Sequence, residues 1–100
     1  MSGLNKRKSP NYWTKQLVIE EVVNFLDNYH EFSSKMVMSN NASLGGAIIR
    51  PNGAVHSLLH SKASTRDCHL YVMQEVMKQR PNAYITYSKR GRPILKTRSE

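Results

Sequence analysis

Apolar residues recur at helical spacing twice in this chain, and a chain of 100 residues has room for one modest core built from them. The first run, Asn11 to about Tyr29, places Val18, Val22, Phe25, Leu26 and Tyr29 on one stripe, widened by Ile19 and Val23. Thr14 can cap it, and Trp13 stands where a hydrophobic staple would reach Val18. The second run, Ser61 to Arg80, places Leu70, Met73, Val76 and Met77 on a stripe, with Val72 beside it. Ser64 can cap this run with Asp67 three residues on, a weaker form of the capping box, and Pro81 ends it. Two helices of this kind are stable only if their stripes are buried, so the prediction is one domain founded on both.

The segment between them is less regular. Phe32, Met36, Val37 and Met38 lie among serines and asparagines, which predicts a short helix near Ser34 to Met38 and a loop at Ser39-Asn40-Asn41. Both methionines are expected in the core. Leu44 to His60 has two readings. Ala47 to His56 is a hairpin around Pro51-Asn52-Gly53, or Leu44 to Arg50 is a helix that the same three residues stop.

After Pro81 the pattern changes to short β-prone arms, Tyr84 to Tyr87 and Ile94 to Leu95, around the basic core Lys89-Arg90-Gly91-Arg92-Pro93. Glycine supplies the permissive backbone of a turn. Pro93 lacks an N–H for a ladder, so the returning arm is expected at a sheet edge or outside any strand. The resulting fold class is α+β: two main helices, a central irregular or hairpin segment, and a basic C-terminal hairpin at 84–96. Residues 1–9 read as a flexible basic arm, 10–97 as the globular domain, and 98–100 as a tail.

Charge is segregated along the chain. The net charge of +8 comes almost wholly from the ends: residues 1–9 hold Lys6, Arg7 and Lys8 without an acid, and residues 88–100 hold five basic side chains against Glu100. The intervening residues, with seven basic and six acidic side chains, are nearly neutral. Cationic arms on a neutral body favour a polyanionic partner. The first helix carries Glu20, Glu21 and Asp27 against Lys15 and should face away from such a partner. The helix that precedes the hairpin is the candidate recognition helix of a winged-helix arrangement, with Arg66, Lys78, Gln79 and Arg80 outward.

One cysteine, Cys68, excludes an internal disulfide and suits a reducing compartment. No apolar run approaches the roughly 18 residues of a membrane span, and the basic start lacks the apolar stretch of a secretory signal. His56, His60, Cys68 and His69 match no common zinc spacing, so they read as surface histidines and a buried thiol, with no metal and no cofactor expected. Cys68–His69 and Glu20–Glu21 are adjacent on helices, where side chains diverge, and neither makes a catalytic pair. Nothing in these patterns argues for an enzyme.

The core Arg90-Gly91-Arg92-Pro93 resembles the AT-hook, an element that lies in the minor groove of A·T-rich DNA. The resemblance implies that Arg90 and Arg92 follow the groove floor while Gly91 lets the backbone approach. Trp13 to about Leu59 resembles the DNA-binding repeat attached to homing endonucleases. The shared features are Trp13-Thr14-Lys15, Ile19-Glu20-Glu21, Glu31-Phe32-Ser33 and a helix running into Asn52-Gly53, with Pro51 where the repeat carries a basic residue.

The expected function is double-stranded DNA binding without catalysis, as a transcriptional regulator or nucleoid-type accessory factor in the cytoplasm or nucleoid, or the nucleus of a eukaryote. Lys6, Arg7, Lys8, Lys89 and Lys96 would contact phosphates, and Arg90, Gly91 and Arg92 would enter a groove. Two alternatives stay open: RNA or ribosome binding with Tyr84 or Tyr87 as a stacking surface, and a viral or phage protein–protein adaptor. Self-association into a homo-oligomer is also left open, and no membrane partner is expected.

Overall fold

The structure, a computed structural model, describes residues 12–98. The chain runs α1 (Lys15–Tyr29), β1 (Glu31–Phe32), α2 (Ser34–Asn40), α3 (Ala42–Ile49), a 3-10 turn at His56–Leu58, α4 (Thr65–Gln79), β2 (Ala83–Tyr87) and β3 (Pro93–Thr97). The class is α+β, with four helices and one antiparallel sheet in the order β1-β3-β2. Among the described residues no helix is long and apolar enough to cross a membrane.

Local chemistry sets the ends of each long helix. Thr14 accepts the Leu17 N–H at 3.1 Å, so α1 starts at Lys15 rather than Asn11. At α4, Ser64 Oγ accepts the Asp67 N–H and the Asp67 carboxylate accepts the Ser64 N–H, a complete reciprocal capping box. The end of α1 is less conventional. His30, with φ 60°, supplies the left-handed cap usually given to glycine, and turns the chain directly into β1. Its ring Nδ1 meets Thr97 Oγ1 at 3.2 Å, and its carbonyl accepts the Thr97 N–H at 3.2 Å, which anchors the cap to β3.

The core lies where α1, α3 and α4 meet one another and the inner face of the sheet. Val18, Val22 and Leu26 from α1, Leu44 and Ile48 from α3, and Val72, Met73 and Val76 from α4 are fully buried. Phe32 and Leu95 join them from the sheet. The expected stripes need two corrections. Tyr29 is exposed, resting against Phe25 with ring centroids 5.7 Å apart. On α4 the buried face is turned toward Cys68, His69, Val72, Met73 and Val76, which leaves Leu70 half-buried and Met77 at the core margin. The strand pair that follows α4 covers one side of it and shifts the apolar face from the one periodicity alone selects.

Of the two readings of Leu44 to His60 the helix holds: α3 runs to Ile49, and Pro51-Asn52-Gly53 stops it, with no hairpin over Ala47 to His56. Ser39-Asn40-Asn41, by contrast, is not the expected loop. Asn41 closes α2 through its N–H to the Val37 carbonyl and opens α3 by accepting the Leu44 N–H at 3.1 Å, so one residue serves two helices. Met36 packs at the core margin, while Met38 is exposed, against the expectation that both fill the core.

Gly53 is needed for packing rather than for an unusual φ. A Cβ there would lie 2.6 Å from the Ala47 carbonyl oxygen and 3.0 Å from that of Gly46, both backbone atoms of α3. Gly53→Ala must therefore push the Pro51–Val55 return off the helix end, at an expected cost of about 1–3 kcal/mol. A thermal or urea midpoint equal to wild type would show that this return moves freely.

Pro93 opens the central strand rather than an edge one. β3 pairs with β2 along its length, Pro93 opposite Tyr87, and with β1 only at Leu95 and Lys96. Because β1 ends at Phe32, it does not pair with Pro93, and the missing N–H interrupts no β1–β3 bond.

Candidate nucleic-acid interface

The basic core forms the closed end of the β2–β3 hairpin. Ser88 N–H donates to the Arg92 carbonyl at 2.9 Å, Gly91 N–H to the Ser88 carbonyl at 2.9 Å, and Arg92 N–H to Ser88 Oγ at 3.1 Å. Gly91 has φ 84°, so the loop is the three-residue hairpin turn with a glycine in the left-handed position. Lys89 and Arg90 occupy the corner, and Arg92 stands at the root of β3. No atom lies within 4 Å of where a Gly91 Cβ would be, so glycine is required here for its dihedral and not for space.

The turn leans over the starts of α2 and α4 and leaves a cleft on each side. The outer cleft, about 360 Å³, is bordered by Lys35 of α2, by Lys89, Arg90 and Arg92 of the turn, and by Glu31. The inner cleft, about 410 Å³, lies between the turn and the first turns of α4, with Arg66, Arg90, Arg92 and His69 among its lining residues. The candidate interface thus draws on three elements, of which sequence reading had assigned the turn residues and named α4 as a candidate recognition helix. Lys35 and His69 were not assigned, and Arg66 was noted only as outward. The signal for Arg66 and His69 was their i, i+3 spacing on one face of the helix leading into the basic turn.

The remaining expected contacts are dispersed. Lys96 sits in mid-strand, half-buried, opposite Glu31 on one side and Tyr84 on the other. It lies on the sheet face away from the core, well back from the turn. Lys6, Arg7 and Lys8 fall outside the described residues. Arg80 is not a free outward cation: it holds the Asp27 carboxylate through two bonds of 3.0 and 2.8 Å, which keeps that carboxyl below its usual range. Lys15 and Lys78 both pair with Glu75. Among the described residues, no such ion pair engages Lys35, Arg66, Lys89, Arg90 or Arg92. Arg50, Lys62, Lys96 and Arg98 are likewise in no such pair but line neither cleft, so the turn end gathers five of the nine described cations left outside these pairs.

Tyr84 and Tyr87 each carry a guanidinium over the ring. Arg98 lies 5.0 Å from the Tyr84 centroid and Arg66 5.5 Å from that of Tyr87. One face of each ring is already occupied.

The histidines and the cysteine are scattered. His56 Nε2–H donates to the Ala63 carbonyl at 3.2 Å, and His60 Nδ1 accepts the Lys62 N–H at 3.1 Å. Cys68 is buried, and burial pushes its thiol pKa up, away from a reactive thiolate. His69 is not a surface histidine: it is 4% exposed, and burial pushes its pKa down. Among the described residues no three acidic, histidine or cysteine side chains cluster as metal ligands would. Compared with protein-family models, with curated proteins and with solved structures, the chain gives no match.

Proposed function

We propose that this chain is a non-catalytic double-stranded DNA-binding protein, a regulator or nucleoid-type accessory factor, that docks through the β2–β3 turn and the adjoining end of α4. In this reading the domain is winged-helix-like: α4 is the recognition helix and the turn at Ser88–Arg92 the wing. The observation that carries it is the sorting of charge by the fold. Lys15, Lys78 and Arg80 are spent on Glu75 and Asp27 of the body, while Lys35, Arg66, Lys89, Arg90 and Arg92 converge on one end without such partners. Unpaired cations gathered around a protruding hairpin suit a duplex backbone, with arginine available to a narrow groove. Lys6, Arg7, Lys8 and Lys96 would add affinity rather than register.

The RNA alternative relied on Tyr84 or Tyr87 as a stacking surface. The guanidinium over each ring takes one of its two faces, which favours the duplex reading. Gel-shift titrations with A·T-rich duplex, G·C-rich duplex and structured RNA test it, each at two salt concentrations. Both duplexes should bind, the A·T-rich one more tightly, with affinity falling steeply as salt rises. Stronger competition by structured RNA would replace this reading with the RNA one. Indifference to all three would point to an acidic protein partner instead.

A further inference from the structure

We infer that the inner cleft is a seat for one phosphate group, held between Arg66 of α4 and Arg90 and Arg92 of the turn, with the Nε2 of His69 as a fourth contact. The source of that phosphate, a duplex backbone, rests on the function proposed above; the seat itself rests on the cleft.

The lining has the composition of an anion site. It brings together three arginines, Ser34, Thr65 and His69, with no acidic residue. The cleft beside Asp27 and Arg80 contains two carboxylates, and the outer cleft contains Glu31. Arginine offers planar paired donors that match phosphate oxygens. Arg66 is also steadied by the Tyr87 ring beneath it, so less of its freedom remains to be lost on binding.

His69 is the second, independent observation. It is 4% exposed, and its Nδ1–H donates to the Thr65 carbonyl at 2.9 Å. That bond fixes the tautomer and leaves Nε2 as an acceptor in the neutral ring. Among the described residues no hydrogen bond engages Nε2, yet no fully buried side-chain nitrogen or oxygen there lacks a partner. Solvent therefore reaches Nε2, through the cleft that His69 lines. In the neutral ring this acceptor offers a phosphate oxygen nothing, since both accept; protonation at Nε2 turns it into a donor. Once the anion is in place it favours the imidazolium, whose Nε2–H can donate to a phosphate oxygen.

The groups that face His69 permit this. Arg66 comes from its own helix, and Arg90 and Arg92 come from the turn. β1 contributes the uncharged Phe32 ring at 6.3 Å, and α2 contributes Ser34. Asp67 belongs to the same helical turn, but its carboxylate is engaged at 3.0 Å with the Ser64 N–H and is not part of the lining. Cys68, next in sequence, is held as the neutral thiol. Burial holds the His69 pKa below its ordinary value of about 6.5, with the bond to the Thr65 carbonyl opposing it, and a bound anion raises it. Between the two values binding takes up a proton, so affinity must rise as pH falls.

The test follows the His69 ring by NMR on the full chain. The titrants are inorganic phosphate, a duplex with 5′-hydroxyl ends, and the same duplex with 5′-phosphates. The hydroxyl-ended duplex should shift the His69 resonances and raise its pKa, with inorganic phosphate doing so weakly. Arg66→Ala, at an exposed position, should fold normally, weaken duplex binding by about 3–10-fold and reduce the salt slope by about one. Wild-type affinity should rise as pH falls from 8 to 6, by at most about tenfold per pH unit for one proton, and more steeply than in His69→Gln. Duplex binding that leaves the His69 resonances unmoved, with Arg66→Ala equal to wild type, would overturn the seat while the DNA-binding function stood. A His69 response to inorganic phosphate or to 5′-phosphates but not to a bound hydroxyl-ended duplex would overturn the backbone assignment alone, and no binding of the hydroxyl-ended duplex at all would overturn the proposed function with it.

Discussion

Phe32→Ala is expected to lose about 3–5 kcal/mol, the largest effect of any single truncation in this domain. Phe32 is fully buried and meets the Phe25 ring nearly edge-on, 5.9 Å between centroids at 72°. It is also half of the two-residue strand β1, paired with Leu95 of the central strand. Removing it vacates the place where α1, the sheet and α4 meet. Set against a typical domain stability of about 5–15 kcal/mol, such a loss leaves a chain near its unfolding limit. The urea midpoint should fall by about 1 M or more. Because the His69 ring lies 6.3 Å from Phe32, the variant should also loosen the inner cleft in whatever fraction remains folded. A midpoint within error of wild type would mean that β1 is not anchored through this side chain.

The second large effect concerns binding. Arg92→Ala should weaken duplex binding by about tenfold, and the double variant Arg90→Ala/Arg92→Ala by more, while Lys96→Ala costs only a few-fold. Each single change removes one charge, so the difference isolates position. Arg92 borders both clefts at the turn end, whereas Lys96 sits in mid-strand and lines neither. Arg92→Lys should restore part of the loss, since lysine keeps the charge but not the planar fork. Gly91→Ala should impair binding by reshaping the turn, because φ 84° is costly for a residue with a Cβ even where the surrounding space is open. Equal losses for Arg92→Ala and Lys96→Ala would reduce the hairpin to a diffuse cloud of charge.

The parts legible in the sequence are those decided by neighbours along the chain. Thr14 and Ser64 announce the starts of α1 and α4 because a cap bonds a backbone N–H three residues away. The hairpin was visible because Gly91 and the β-prone arms act over a few residues. Where local rules allowed two outcomes, long-range packing chose. Ala47–Ile49 could have been strand or helix by composition, and burial of Leu44, Ala47 and Ile48 against α1 and α4 makes it helix. β1 carries no sequence signal: two residues become a strand because the His30 cap delivers them to β3.

The candidate site divides along the same line. Composition alone placed the cationic excess at the chain ends and singled out Arg90, Gly91 and Arg92. It had no means of seeing that α4 would bring Arg66 and His69 beneath that turn, or α2 bring Lys35 beside it, because those distances depend on how β2 returns along α4. Nor could it tell spent charges from unspent ones. Arg80 and Arg66 both looked outward on one helix; tertiary packing set Asp27 of α1 against the first and a tyrosine ring beneath the second. A cap or a turn is settled within one or two turns of chain, whereas an ion pair between residues 53 apart exists only after two helices have packed.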